Sequence, residues 1–451
     1  MTLAEAATVL GGALRGADVT FTAVSTDSRT IAAGDLFVAL CGERYDGHAF
    51  VQQAAAAGAV AALADRAHEP SPALPTAVVA DTTVALGALA AHWRRRFHIP
   101  LIAVAGSNGK TTVKEMIAAC LREHYGADAV LATRGNLNNH IGLPLTLLAL
   151  RAAHRVAVVE VGMNHPGETA QLAALAQPTI AVINNAQREH QEFMRSVADV
   201  AKEHASLIAA LPADGTAVIS ADDAHAAVWR TTAAARIVRD FGLGRATVTA
   251  QCSMDAATAT LDISIPGATA RIALPLAGEH NVRNALAAVA AATAAGAPLD
   301  ACVRALQRFV PVRGRLQMKR GVHGAVLIDD TYNANPDSVR AATDVLARAH
   351  GRKLLVLGDM GEVGAQGPVF HREAGAYART AGIDRLYTLG ELAADAARAF
   401  GEGAQHYPRI EELLVDVENA LDAQTTVLVK GSRFMQMERV VRGLEARAEK
   451  A

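Results

Sequence analysis

The stretch 101-LIAVAGSNGKTTVKEMIAACLRE-123 decides the fold. Its first five residues are an unbroken apolar run, the pattern of a short strand buried in a parallel sheet. Gly106-Ser107-Asn108-Gly109-Lys110-Thr111-Thr112 follows, and then Val113, Met116, Ile117, Cys120 and Leu121 recur at helical spacing. Strand, glycine loop and helix in that order cradle phosphate. The glycines let backbone N–H groups turn inward, and the helix N-terminus adds partial positive charge. The pattern predicts Lys110 on the β- and γ-phosphates and the Thr111 hydroxyl on Mg²⁺. Val104 stands where the longer form of this loop has a glycine, so this is the shorter G-x-x-G-K-T form.

Outward from the loop, a chain of 451 residues suggests about three domains at ~150 residues each. Apolar residues make up 51 % and supply a substantial core, with alanine inflating the figure. The formal charge of -2 argues against nucleic acid or a membrane surface as an electrostatic partner. Cys41, Cys120, Cys252 and Cys302 are scattered, which fits reduced thiols in the cytoplasm and neither a zinc site nor a disulfide frame. The opening MTLAEAATVLGG has an early acid and no basic segment, so no signal peptide is expected. The alanine-rich run 285–299 is broken by Gly296 and Pro298 and is too short for a membrane span.

Before the loop, residues 3–10 read as a helix closed by Gly11-Gly12, 36–40 and 60–63 as strands, and 48–58 and 84–97 as helices. A polar loop at 42–47 and a proline-bearing stretch at 68–75 punctuate them, and His98-Ile99-Pro100 reads as a linker. After the loop, 156–161, 179–184, 217–220 and 271–275 read as strands of one sheet. A second sheet follows a start near 311–315, with strands at 326–329, 354–357, 386–389 and 427–429. Strands alternating with helices predict parallel, doubly wound sheets with ligands at the strand C-terminal ends, where Gly106, Glu160 and Asn184 fall.

Several polar groups stand at such ends. Glu160 is an acid in an otherwise apolar strand; a lone buried carboxylate is expensive, and Mg²⁺ at the loop mouth would compensate it. The run 184-NNAQREHQE-192 follows a strand, and His190 there could ligate a metal, although a lone loop histidine is more often simply exposed. The amide-rich 135-GNLNN-139 suits sugar or peptide groups or a plain turn, and spacing does not decide between them. Asn281 either caps a helix over 282–295 or reads a base edge. In 329-DDTYNANP-336 two acids and two amides follow a strand, consistent with a ligand site or with a turn stopped by Pro336. Lys430 and Arg433 follow another strand and suit an anionic group.

Taken in order, GSNGKTT, GNLNNHIGLPLTLL, VEVGMNHPGE, the run 184–192, GEHNVRNALAA, RGRLQ, DDTYNANPDS, VLGDMGEVG and VLVKGSRFMQME resemble the Mur ligase family over nearly the whole chain. The resemblance implies an α/β protein of three domains. These are an N-terminal one for the UDP end of the substrate (1–97), a central parallel-sheet ATPase (98–310) and a C-terminal Rossmann-like one (311–451). It implies an ATP- and Mg²⁺-dependent amide ligase, cytoplasmic and monomeric, that makes a peptidoglycan precursor through an acyl phosphate. DDTYNANPDS favours the member that joins D-alanyl-D-alanine to UDP-N-acetylmuramoyl-tripeptide. Position by position, Gly106, Ser107, Asn108, Gly109, Lys110, Thr111, Thr112, Asn281, Arg315 and Asp330 resemble the ATP-binding set, with Lys110, Glu160 and His190 catalytic. Thr111, Glu160 and His190 resemble the metal-holding groups. Ser28 and Arg29 match the uridine diphosphate end, and Asn138, Asn139, Tyr332, Asn333 and Asn335 the peptide substrates. Many members also carry a carbamoylated lysine in a V/I-A-x-x-K helix. Here Val200-Ala201-Lys202-Glu203-His204 puts histidine at that position. Helical geometry turns His204 inward, either as a satisfied buried histidine or as support for a metal, and Lys202 away, which predicts no carbamate at Lys202 and no activation by bicarbonate.

Overall fold

The computed structural model describes residues 1–42, 45–66 and 73–446. Part of the loop read at 42–47, part of the stretch read at 68–75 and residues 447–451 of the third expected domain lie outside the described residues.

Around the phosphate loop the apolar run becomes the strand Leu101–Ala105, fully buried, with Val156–Glu160 and Ile180–Ile183 parallel on either side. Their C-terminal ends therefore converge at Gly106, Glu160 and Asn184. The following helix Lys110–Tyr125 buries Val113, Met116, Ile117, Cys120 and Leu121, and packs against the helices Glu279–Ala294 and Leu299–Gln307. The sheet has nine strands, ordered from Val130–Ala132 through Val156–Glu160, Leu101–Ala105, Ile180–Ile183, Thr216–Ser220, Ile237–Gly242 and Val248–Met254 to Ala259–Ile265 and Ala268–Leu274. The last three are antiparallel to one another, so the strand read near 271–275 belongs to an antiparallel ribbon attached to the parallel sheet. One face of the ribbon is solvated, and its residues alternate in burial accordingly.

The N-terminal sheet has five strands, parallel except for the edge strand Ala13–Arg15. The helix read over 48–58 is a 3-10 turn, Gly47–Phe50, followed by Val51–Ala57. The helix read over 84–97 runs Thr82–Arg94, because the Asp81 carboxylate accepts from the N–H of Thr83 and Val84 and starts it earlier. The C-terminal sheet has six strands in the order Gln317–Arg320, Val326–Asp330, Thr425–Lys430, Arg352–Gly358, Arg385–Leu389, Ala404–Tyr407. It is parallel except for Gln317–Arg320. Thr425–Lys430, the last strand among the described residues, lies at its centre and is buried along its length.

The three sheets are joined unequally. The first and the central share one apolar cluster that includes Leu3, Leu86, Leu89, Leu143, Leu147 and Leu172. Arg94 Nε donates to Ala176 O at 3.1 Å and Trp93 Nε1 to Leu150 O at 3.1 Å across the same seam. The third meets the central one mainly through polar groups, described below. Among the described residues no helix is long and apolar enough to cross a membrane.

Candidate active site

A cleft of about 840 Å³ opens between the central and C-terminal sheets, with the phosphate loop at its base. Two glycines allow the loop its path. Gly106 has φ +136°, and Gly109, at φ +81°, leaves no room for a Cβ, which would lie 2.5 Å from Asn284 Oδ1 and 2.7 Å from Asn184 Nδ2. Behind the loop a chain of amides fixes its shape. Asn184 Nδ2 donates to Asn108 O and to Asn284 Oδ1, both at 2.8 Å, Asn284 Nδ2 to Asn281 Oδ1 at 3.2 Å, and Asn281 Nδ2 to Ala277 O at 2.8 Å. Asn281 thus lines the cleft with both ends of its amide engaged. It does not cap its helix, which starts at Glu279 with Gly278 in the capping position.

Thr111 and Glu160 meet at the loop mouth, the Thr111 hydroxyl donating to Glu160 Oε2 at 2.8 Å. Asn138 Nδ2 donates to Glu160 Oε1 at 2.7 Å, and the Glu160 N–H is held by Thr133 Oγ1 at 2.9 Å. Glu160 is 2 % exposed, and its two oxygens take only neutral donors. A buried carboxylate so placed calls for a cation. With the Thr111 hydroxyl beside it, the donor set is hard oxygen, which fits Mg²⁺.

Lys110 Nζ donates to Gly106 O at 2.6 Å, Ser107 O at 3.2 Å and Glu189 Oε2 at 3.3 Å. Glu189 is buried within the polar run 184–192. Its other oxygen, Oε1, lies 3.2 Å from His204 Nε2, and His190 Nε2 is 3.7 Å from Oε2. Burial works to raise its carboxyl; Lys110 and the two histidines override that and hold it at about 2. His190 has φ +49° and turns Nδ1 to within 2.8 Å of Glu362 Oε2 of the C-terminal unit, a contact outside hydrogen-bond geometry. His204 is 1 % exposed, whereas the Lys202 side chain is 69 % exposed and pairs with Asp199.

The C-terminal unit contributes its own groups. Arg315 donates to Thr111 Oγ1 at 2.9 Å, its guanidinium stacks 4.2 Å from the Tyr332 ring centroid, and its buried Nε has no partner. Asp330 is bound to Lys430 Nζ at 2.6 Å, and the same ammonium donates to Asn333 O at 2.9 Å. Asn335 caps the helix Pro336–Ala347 through a capping box with Ser338, and its amide also exchanges bonds with the Asn108 amide at 2.9 and 3.3 Å. Pro336 therefore opens a helix where a turn stop was one reading. Asn139 is spent on a turn, its Oδ1 accepting from the N–H of Ile141 and Gly142. Ser28 and Arg29 stand away from the cleft on the N-terminal unit, where Arg29 pairs with Asp27 at the surface.

Sequence reading missed three residues of this constellation. Arg188 binds Asp337 at 2.7 Å and Glu373 at 2.7 Å on the C-terminal unit. Glu189 was legible only as part of a polar run, and Glu362 only as part of the VLGDMGEVG motif. Lys430 was legible as a cation after a strand, its partner Asp330 as an acid after another, and their pairing only from the sheet order.

The fold and cleft define a phosphate-loop enzyme with a polar cleft between two α/β units. The family models matched are the Mur ligase family catalytic domain (residues 20–120), the Mur ligase middle domain (104–292) and the Mur ligase glutamate ligase domain (314–433). The chain is 39 % identical over 450 residues to the UDP-N-acetylmuramoyl-tripeptide–D-alanyl-D-alanine ligase of Escherichia coli K12, covering 99 % of this chain and 98 % of that one. To the ligase of the same name from Bacillus subtilis it is 35 % identical, over 93 % of this chain and 92 % of that one. A crystal structure of MurF from Acinetobacter baumannii superposes with a TM-score of 0.91 at 33 % identity, covering 98 % of each chain. MurF ligase from Thermotoga maritima in complex with ADP superposes with a TM-score of 0.83 at 25 % identity, over 93 % of this chain and 96 % of that one. The chain belongs to the Mur ligase family, and it is an ATP-dependent ligase.

Proposed function

We propose that this enzyme joins D-alanyl-D-alanine to UDP-N-acetylmuramoyl-tripeptide, giving the pentapeptide precursor of peptidoglycan and so serving cell-wall biogenesis, cell shape and division. The observation that carries this reading is the cleft in which Arg315 from one unit reaches the Thr111 hydroxyl of the phosphate loop on the other. Full-length similarity to ligases of that name supports it.

In this reading the tripeptide carboxylate attacks the γ-phosphorus of ATP, ADP leaves, and an acyl phosphate forms. The amine of D-alanyl-D-alanine then attacks the acyl carbon and expels phosphate. Phosphoryl transfer asks the protein for positioning and charge neutralisation. Lys110 meets the transferred phosphoryl group, and Arg315 and Lys430 supply further positive charge from the opposite wall. Thr111 and Glu160, with His190, would hold Mg²⁺, which neutralises phosphate charge when bound. Closure of the C-terminal unit excludes water from the acyl phosphate. Asn281 lies on the adenine side, Asp330 sets Lys430, and Asn138, Asn139, Tyr332, Asn333 and Asn335 lie on the peptide side. Ser28 and Arg29 take the uridine diphosphate end. The units are 1–97, 98–310 and 311–451, and the enzyme works as a cytoplasmic monomer. Phosphate release that requires both tripeptide and D-alanyl-D-alanine, with the pentapeptide seen by mass spectrometry, is the expected result. Release that is indifferent to the dipeptide, or no ATP turnover with both present, refutes the assignment.

A further inference from the structure

Glu189 has no role in the site as the sequence resemblance drew it, yet it is the group on which the loop lysine leans. Its side chain is 5 % exposed, and its two oxygens are divided between two tasks. Oε2 accepts from Lys110 at 3.3 Å, and Oε1 faces His204 Nε2 at 3.2 Å. The His204 Nδ1 is buried without a hydrogen-bond partner. A proton there would be an orphaned donor, so the arrangement favours the tautomer with the proton on Nε2, donated to Glu189. His204 thereby fixes the direction of the carboxylate. An ammonium has three hydrogens, and on Lys110 the Gly106 carbonyl, the Ser107 carbonyl and Glu189 take all three. Two of these acceptors belong to the loop itself. Glu189 is the one that comes from a different segment, 79 residues away, and the one that carries charge.

We propose that Glu189 is a positioning residue for phosphoryl transfer: seated on His204, it holds the Lys110 ammonium at the loop mouth and yields it to the incoming phosphates. The proposal rests on the reading of the cleft as the site of ATP-driven ligation. Incoming phosphate oxygens and Glu189 compete for one cation. Removing the carboxylate should therefore leave nucleotide affinity undiminished or improved while the chemical step loses its aligned lysine. A residue that merely supported the fold would lower affinity, turnover and thermal stability together.

The test is Glu189→Ala in the full-length enzyme, assayed for kcat, for equilibrium binding of a fluorescent ATP analogue and for Tm. The expected result is a fall in kcat of about 10–100-fold, by analogy with the loss when the hydrogen-bond partner of a metal ligand is removed. Analogue binding should be equal to or tighter than that of the wild type. Formate, a small carboxylate able to enter the vacated space, should restore part of the kcat of Glu189→Ala in a saturable way and none in Lys110→Ala. Near-wild-type kcat, weaker analogue binding, or no response to formate overturns the proposal. Absence of substrate-dependent phosphate release in the wild type would instead overturn the functional reading. The binding comparison needs no substrate, so tighter or equal binding by Glu189→Ala still supports the competition for Lys110 and weaker binding still refutes it.

Discussion

Lys110→Ala removes the cation proposed to meet the transferred phosphoryl group. Losing one preorganised donor of this kind costs about 3–4 kcal/mol, roughly 10²–10³ in kcat. It also leaves the buried Glu189 without its nearest counter-charge, so some stability goes with the rate. The double variant Lys110→Ala/Glu189→Gln separates the two effects. Its Tm should recover toward the wild type while phosphate release stays low; recovery of both would show that Lys110 serves stability alone. A second expectation concerns carbon dioxide. His204 points inward onto Glu189 and Lys202 points to solvent, so no carbamate is expected at Lys202. Activity should be the same in CO₂-depleted buffer with or without bicarbonate, and Lys202→Ala should be near wild type. Bicarbonate activation lost in Lys202→Ala would contradict the helix geometry.

The helix Pro336–Ala347 shows how one residue serves an element and a contact at once. Asn335→Ala loses an N-cap, about 1 kcal/mol of stability, and also the amide pair with Asn108. Asn335→Asp keeps the cap but cannot donate to Asn108. Chemical denaturation should find the Asp variant near wild type and the Ala variant weakened, while both show a raised KM for ATP. Equal KM values in all three proteins would mean the Asn108 contact does not matter for nucleotide. The central elements were legible because their signals are local: an apolar run, two glycines, then helical spacing over 101–123. The ribbon over 248–274 was legible in principle, since Thr260 to Ile265 alternate polar and apolar and Pro266-Gly267 marks a turn. The expectation of strand-helix alternation overrode that signal. Nothing local could reveal Arg188 with Asp337, because a salt bridge between residues 149 apart leaves no periodicity in either segment.

Across the whole molecule, the apolar seam makes the first two units one body, while the third is held by polar contacts that water can replace. Arg188, clamped by Asp337 and Glu373 with the Phe370 ring beneath its guanidinium, is the strongest of these. Arg188→Ala should enlarge the radius of gyration without nucleotide, and saturating ATP analogue with muropeptide should reverse it. Small-angle scattering that shows no change on either step would refute this. His280, beside the same interface, is held down to about 4 by burial, with Asp330 opposing and Lys430 adding to the shift. In the unfolded chain the ring takes a proton near 6.5, in the folded one only near 4. Its contribution is therefore present above pH 6.5 and lost as pH falls toward 4, by about 1–3 kcal/mol. Urea midpoints across that window should fall less steeply in His280→Gln; an unchanged slope would exclude His280 as the cause. The position of Thr425–Lys430 has a consequence for how the protein is born. Val326–Asp330 leaves the ribosome first, and its central neighbour is about 95 residues behind, roughly 5–20 s at bacterial and eukaryotic rates of synthesis. Once Arg352–Gly358 is made, the nascent chain carries two strand edges that wait for this neighbour, and Asp330 waits for a lysine not yet made.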